Sequence, residues 1–186
     1  MKRFSSFTMI KQTADSLLRV VRDRLPEIAR DMDDIESIEL LEKVERADGS
    51  LTLVNRWHAR HKIPAILQRR LGAATVSWID RAQWLSSQRR CCWTIEPSLL
   101  EGYIVCSGST TFETAMTGRG TRVTFDGTFD LKPGFLGGAS ATLEPLISSF
   151  VESVVSTIIP RNLARAIAGA NQILAAEARV RAGSPN

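Results

Sequence analysis

Two histidines, three cysteines and one glycine-bearing loop are the places where residue type alone would allow bond-making chemistry in this chain. His58 and His61 lie at the end of a strand-like run, and an extended backbone sends residues three apart to opposite faces. No carboxylate or cysteine stands at a spacing that would complete a zinc set, so no metal is expected. Cys91 and Cys92 are adjacent; on a strand they read as one core thiol and one surface thiol. With Cys106 they make neither a disulfide framework nor a ligand set. The run Thr117-Gly118-Arg119-Gly120-Thr121 joins two strand-like stretches, so it reads as a hairpin turn and not as a phosphate cradle, which needs a strand followed by a helix. Nowhere do a nucleophile, a base and an orienting group stand in a recognisable arrangement. No cofactor is expected.

The elements around these residues are mostly strands, ahead of one long apolar helix. Phe4 to Ile10 alternates as a short first strand, and Thr13 follows as a candidate helix cap. Asp15 to Met32 has helical spacing, with Leu17, Leu18, Val21, Leu25 and Ile28 on one face and Pro26 dividing it in two. Ile35 to Arg46 alternates, placing Ile38, Leu40 and Val44 on one side. Asp48-Gly49 predicts a type I′ hairpin into Leu51 to Arg60, where Leu53, Asn55 and Trp57 share a face. Ile63 to Gly72, with its early proline and late glycine, reads as a short helix. Strands follow over Thr75 to Leu85, Arg90 to Glu96, Tyr103 to Thr114 and Thr121 to Leu131. A glycine-rich connection, Lys132 to Gly138, leads into residues 142 to 180. There Leu143, Leu146, Ile147, Phe150, Val151, Val154, Val155, Ile158 and Ile159 form one broad apolar face. Unbroken, that helix would run to roughly 58 Å, so Pro160 is expected to break it, with the first piece buried.

At 186 residues the chain suits a single domain, 1–186, with a sizeable core. The cysteine usage points to a reducing, cytoplasmic compartment, and the N-terminal stretch makes a poor signal peptide. No run is long enough to span a membrane. The net charge of +4 favours anionic partners only mildly, and nucleic acid is not expected.

Strand, two short helices, about six strands and a long terminal helix is an order that resembles the START-like, or SRPBCC, superfamily over nearly the whole chain. Trp57 to Pro97, with its proline-started helix between strands, is also similar to the PRELI-type phospholipid carriers. The resemblance implies an α+β helix-grip fold: a curved antiparallel sheet of about six to seven strands wrapped round the C-terminal helix, with an apolar cavity between them. It implies a ligand such as a lipid or similar apolar small molecule. The residues agree. Trp57, Trp93, Phe112, Phe125 and Phe129 face inward on the strands, and Phe150, Val154 and Ile158 face them from the helix. Asn55, Cys106 and Thr110 supply space and hydrogen-bonding handles. The same aromatics could equally fill a solid core.

Aromatases and cyclases in the same superfamily keep an enzyme open as an alternative, with Asn55, Asp80, Glu113 and Tyr103 as the polar candidates. Glu113 and Tyr103 share the strand side opposite Ile104 and Phe112, which counts against them. Asp80, between Trp78 and Ala82 on one side, is the better candidate general base, although a salt bridge to Arg56 or Arg81 explains it equally well. Two surface expectations complete the reading. Ile63, Ile66, Leu67, Arg69 and Arg70 could meet an anionic membrane. Leu163, Ile167, Ala170 and Leu174 could seat on another chain, although a monomer or weak dimer is expected. Phe135-Leu136-Gly137-Gly138 and the Ile63 helix are the candidate gates to the cavity.

Overall fold

The computed structural model describes residues 2–65, 68, 74–132 and 144–183. Seven antiparallel strands form one sheet: β1 (Lys2–Ile10), β2 (Ile35–Glu45), β3 (Leu51–Lys62), β4 (Thr75–Leu85), β5 (Arg90–Pro97), β6 (Ile104–Ala115) and β7 (Gly120–Leu131). Their spatial order is β1-β7-β6-β5-β4-β3-β2, so the N-terminal strand closes one edge and β2 the other. Between β1 and β2 lie α1 (Ala14–Asp23) and α2 (Leu25–Ile28). The chain ends in α3 (Glu144–Ser153) and α4 (Ile159–Gly183), joined by a π-helical turn, Val154–Ile158. Period-two patterning produces the sheet: along β4, Val76, Trp78, Ala82 and Trp84 are buried on the helix side, while Ser77, Ile79, Arg81 and Gln83 face away.

The expected break at Pro160 is instead a change of winding. The Ile159 N–H donates to the Val154 carbonyl, a five-residue step. A π turn widens the helix just where the proline ring would otherwise crowd the preceding turn and where its missing N–H would leave a gap. Both pieces are consequently buried. Ile147 and Val151 on α3 and Ile159, Ala166, Ile167 and Ala170 on α4 all belong to one core, while the end of α4 runs out past the sheet into solvent. The length argument fails because this overhang is tolerated: its residues are mostly polar or alanine. The stripe expected to seat on another chain is covered from within, with Ile167 and Ala170 buried and Leu163 and Leu174 packed against the same core. Helix α1 packs on α4, and Arg161 and Arg165 both pair with Asp34 ahead of β2.

Two details of the β2–β3 hairpin differ from expectation. Only Gly49 takes positive φ, at 78°. The loop is a three-residue turn, closed by Arg46 N–H to the Ser50 carbonyl and by Gly49 N–H to the Arg46 carbonyl. A bulge between Ile35 and Ser37 brings Ile35 and Ile38 to one face, both buried, and a second between Leu40 and Glu42 turns Val44 to the outer face opposite Thr52; Leu40, opposite Asn55, keeps the face of Ile38 but is exposed on this edge strand. An edge strand that twists away in this manner presents a poor template for another chain.

One register line crosses the sheet from Phe4 through Gly127, Gly108 and Trp93 to Ala82. The Phe4 ring lies over Gly127, and the Trp93 ring lies over Gly108 and stacks towards Phe4 at 6.1 Å. A Cβ on Gly108 would stand 2.5 Å from the Trp93 ring and closer still to the Asp126 carbonyl oxygen. The sheet has no room for it, because the obstacle includes neighbouring backbone. Gly108→Ala is therefore expected to cost about 3 kcal/mol, read as a lowered urea midpoint at unchanged slope.

Candidate functional site

The space between the sheet and the start of α4 is walled by aromatic rings. Trp57, Trp78, Trp84 and Trp93, with Phe112 and Phe125, line it from the strands, while Ile159, Asn162, Leu163, Ala166 and Ile167 line it from the helix, and Val21 and Leu25 close the end beside α1. These are all four tryptophans of the chain. Trp57 and Trp78 face each other across β3 and β4 and stack at 5.5 Å; Trp84 and Phe112 pack tilted at 6.3 Å. The free volume is about 50 Å³, room for a few water molecules or a very small molecule as the walls stand.

Polar groups interrupt these walls, and those of Trp57, Trp84 and Asn162 lack partners. Asp80 sits on β4 directly opposite Asn55 on β3 and Ile95 on β5, among Trp57, Trp78 and Ala82 on the same face. It is enclosed by the fold yet keeps accessible surface, because part of its carboxyl faces the cavity. The salt bridge expected for it does not form: Arg56 pairs with Glu39 and Arg81 with Glu96, both on the opposite face of the sheet. Burial pushes the Asp80 carboxyl up to about 7, while the side chains of Trp57 and Asn55 pull it back down. The Trp57 indole N–H meets no acceptor in good hydrogen-bond geometry. Its influence on Asp80 is therefore that of a nearby dipole, not a made bond. Trp84 likewise has an unpartnered indole N–H, and Asn162, 1% exposed, satisfies neither end of its amide. By contrast Trp93 donates to the Thr110 hydroxyl at 3.2 Å. Cys91 also lines the cavity as a neutral thiol, pushed well up by burial and by the Asp80 charge.

Of the residues named from sequence, Trp57, Trp93, Thr110, Phe112 and Phe125 line this cavity, and so does Asp80. Asn55 is buried beside Asp80. Cys106, Phe129, Val154 and Ile158 are buried outside the cavity lining, and Phe150 is only half-buried against the core. Glu113 and Tyr103 are exposed. Spacing alone does not single out Asn162, Trp78 or Trp84 as lining residues. Trp78 and Trp84 share the inward parity of Asp80 along β4, and Asn162 is the one polar residue in an otherwise apolar run of inward positions, Ile159, Asn162, Ala166, Ile167 and Ala170. Ile63 is buried. Ile66, Leu67, Arg69, Arg70 and the Phe135 to Gly138 gate lie outside the described residues.

A larger groove, of about 950 Å³, lies on the other face of the sheet around Arg3, Arg46, Arg81 and Arg90. It is open to solvent and would bury little of any small ligand, so the enclosed cavity is the better site despite its size.

No protein-family model and no curated protein sequence matches the chain. Solved structures do. The Zhui aromatase/cyclase from Streptomyces sp. R1128 superposes with a TM-score of 0.64 at 17% identity, covering 99% of each chain. TTHA0849 from Thermus thermophilus gives 0.61 at 19% identity, over 94% of this chain and 99% of that one. Ara h 8.0201 gives 0.57 at 16%, over 94% and 98%. At such identities the likeness is one of fold. With the strand order and the terminal helix laid on one face of the sheet, it makes this a helix-grip α+β fold, the architecture that the resemblance to START-like proteins implied.

Proposed function

We propose that this single-domain chain binds a small, largely apolar molecule in the aromatic cavity between the sheet and α4. The observation that carries this reading is Asn162. A buried amide with neither end paired costs about 1–3 kcal/mol, which a leucine of similar size would avoid. Such a residue is retained at a cost unless something else satisfies it. The walls supply the rest of what small-molecule sites have: apolar surface with a few convergent polar groups. A free volume of about 50 Å³ favours a small ligand; the acyl chain of a lipid would require the sheet and helix to part. The π turn immediately before the lining segment of α4 is where the helix could yield.

Because every tryptophan lines the cavity, the indole N–H resonances report its occupancy. Titrating compounds of at most one ring, admitted as the helix yields at the π turn, should shift them saturably. Asn162→Leu should weaken that binding by ~10-fold while raising stability by about 1 kcal/mol. Native mass spectrometry of freshly purified protein should show bound low-mass material. No indole shift with any compound, together with protein free of bound mass, would reject the cavity as a binding site.

Asp80 favours a second reading, in which the same cavity catalyses. A carboxyl at about 7 can both give and take a proton near neutrality, and the Zhui structure with this fold is an aromatase/cyclase. Turnover of an aromatic or polyketide substrate that disappears in Asp80→Asn would move the assignment from binder to enzyme.

A further inference from the structure

Asp80 also constrains which ligand the cavity can accept. We infer that the ligand is a small organic cation, a protonated amine or quaternary ammonium, whose charge sits by the Asp80 carboxylate against the faces of Trp57, Trp78 and Trp93. This rests on the binding reading above and narrows it to a charge class.

Three observations point the same way. Asp80 has no cationic partner among the described residues, and the arginines that adjoin it in the sheet register, Arg56 and Arg81, pair with Glu39 and Glu96 on the far face of the sheet. No lysine, arginine or histidine is among the described residues lining the cavity, so an anionic ligand would meet the carboxylate with nothing to hold it. A neutral apolar ligand would close the cavity over Asp80 and leave the carboxyl to ionise with only the Trp57 and Asn55 side chains to help, or to stay protonated. A cation removes this conflict. It supplies the missing counter-charge, and the surrounding indole rings, with their electron-rich faces, are the surfaces on which ammonium groups are held in aromatic cages. Thr110 and Asn162 offer oxygen acceptors for the N–H groups of a primary amine. Among the described residues, the only other titratable group lining the cavity is the Cys91 thiol, which stays neutral across the range that matters.

The test uses n-butylammonium, n-butanol and butyrate, matched in size and differing in charge, each titrated into the full chain with the indole resonances as readout. Butylammonium is expected to bind at least ~10-fold more tightly than butanol, with butyrate weakest. A cation must displace the Asp80 proton at low pH. Its affinity should therefore fall by about 30-fold between about pH 8 and about pH 5.5 in the wild type, a measurement that needs no variant. Asp80→Asn should erase both the preference for the ammonium and its pH dependence. Butanol binding as tightly as butylammonium, with no change across that pH range, would overturn the cation and leave the apolar-ligand reading intact. Tighter butyrate binding would do the same. Indole shifts from none of the three would overturn the cation, and the binding reading falls with it where the ring compounds above also give no shift and the protein carries no bound mass.

Discussion

At about pH 8, ligand-free Asp80→Asn should be more stable than the parent by up to ~4 kcal/mol, and the gap should close as the pH is lowered towards about 4. The sign follows from linkage. Burial raises the Asp80 carboxyl from 3.8 to about 7, so between those values the folded protein holds a proton that the unfolded chain has released. Stability linked to this group is fully present below about pH 4 and is lost as pH rises through about 7. A rise of about three pH units is worth ~4 kcal/mol, at about 1.4 kcal/mol for each. Asparagine keeps the shape and does not titrate, so the variant lacks the slope. Urea unfolding of both proteins at a series of pH values measures it; parallel stability curves from about pH 4 to about pH 8 would mean that the carboxyl is solvated or paired. Saturating butylammonium should shrink the gap at about pH 8, because the bound cation stabilises the ionised form.

The second large effect concerns the helix. Ile167→Asp should abolish cooperative unfolding. Ile167 is 1% exposed, inside the one core shared by sheet and helices, and an unpaired carboxylate there costs several kcal/mol against a total stability of about 5 to 15. Spacing alone favours Phe150 as the anchor of this helix, but that ring is half-buried. Phe150→Asp should therefore cost about 1–2 kcal/mol and leave a folded, cooperative protein. Thermal unfolding followed by near-UV circular dichroism separates the two. A folded Ile167→Asp would detach α4 from the core and take the cavity wall with it.

The fold was legible in the chain because its signals are local and periodic. Alternation along β3, β4, β6 and β7 is a property of each strand by itself, and so is the three-and-four spacing of the terminal helix. Their order along the chain then admits few architectures, the helix-grip among them. Local rules also erred in informative places. Val44 alternates correctly with its neighbours yet is exposed, because a bulge after Leu40 moves the parity of β2 and the pairing that makes a bulge is not local; Leu40 keeps the inward parity but lies exposed on the edge strand. Pro160 breaks isolated helices, but here packing against the sheet holds the two pieces in line and a π turn absorbs the ring.

The residue types of the site were determined by the sequence alone: the inward aromatics Trp57, Trp93, Phe112 and Phe125, and Asp80 on a strand between Trp78 and Ala82. Tertiary structure decided what Asp80 means. Arg56 and Arg81 adjoin it in the sheet lattice and offered the simplest explanation of its charge, but strand parity sends them to the opposite face, where Glu39 and Glu96 take them. Which helical turn meets the cavity was also beyond local reading. The apolar face of residues 144–170 is continuous, and only the docking of that helix against the strands sets Asn162 and Ile167, and not Phe150 and Val154, opposite the tryptophans. Periodicity fixes which side of an element is buried; depth along that side depends on long-range packing between elements, which no local pattern encodes.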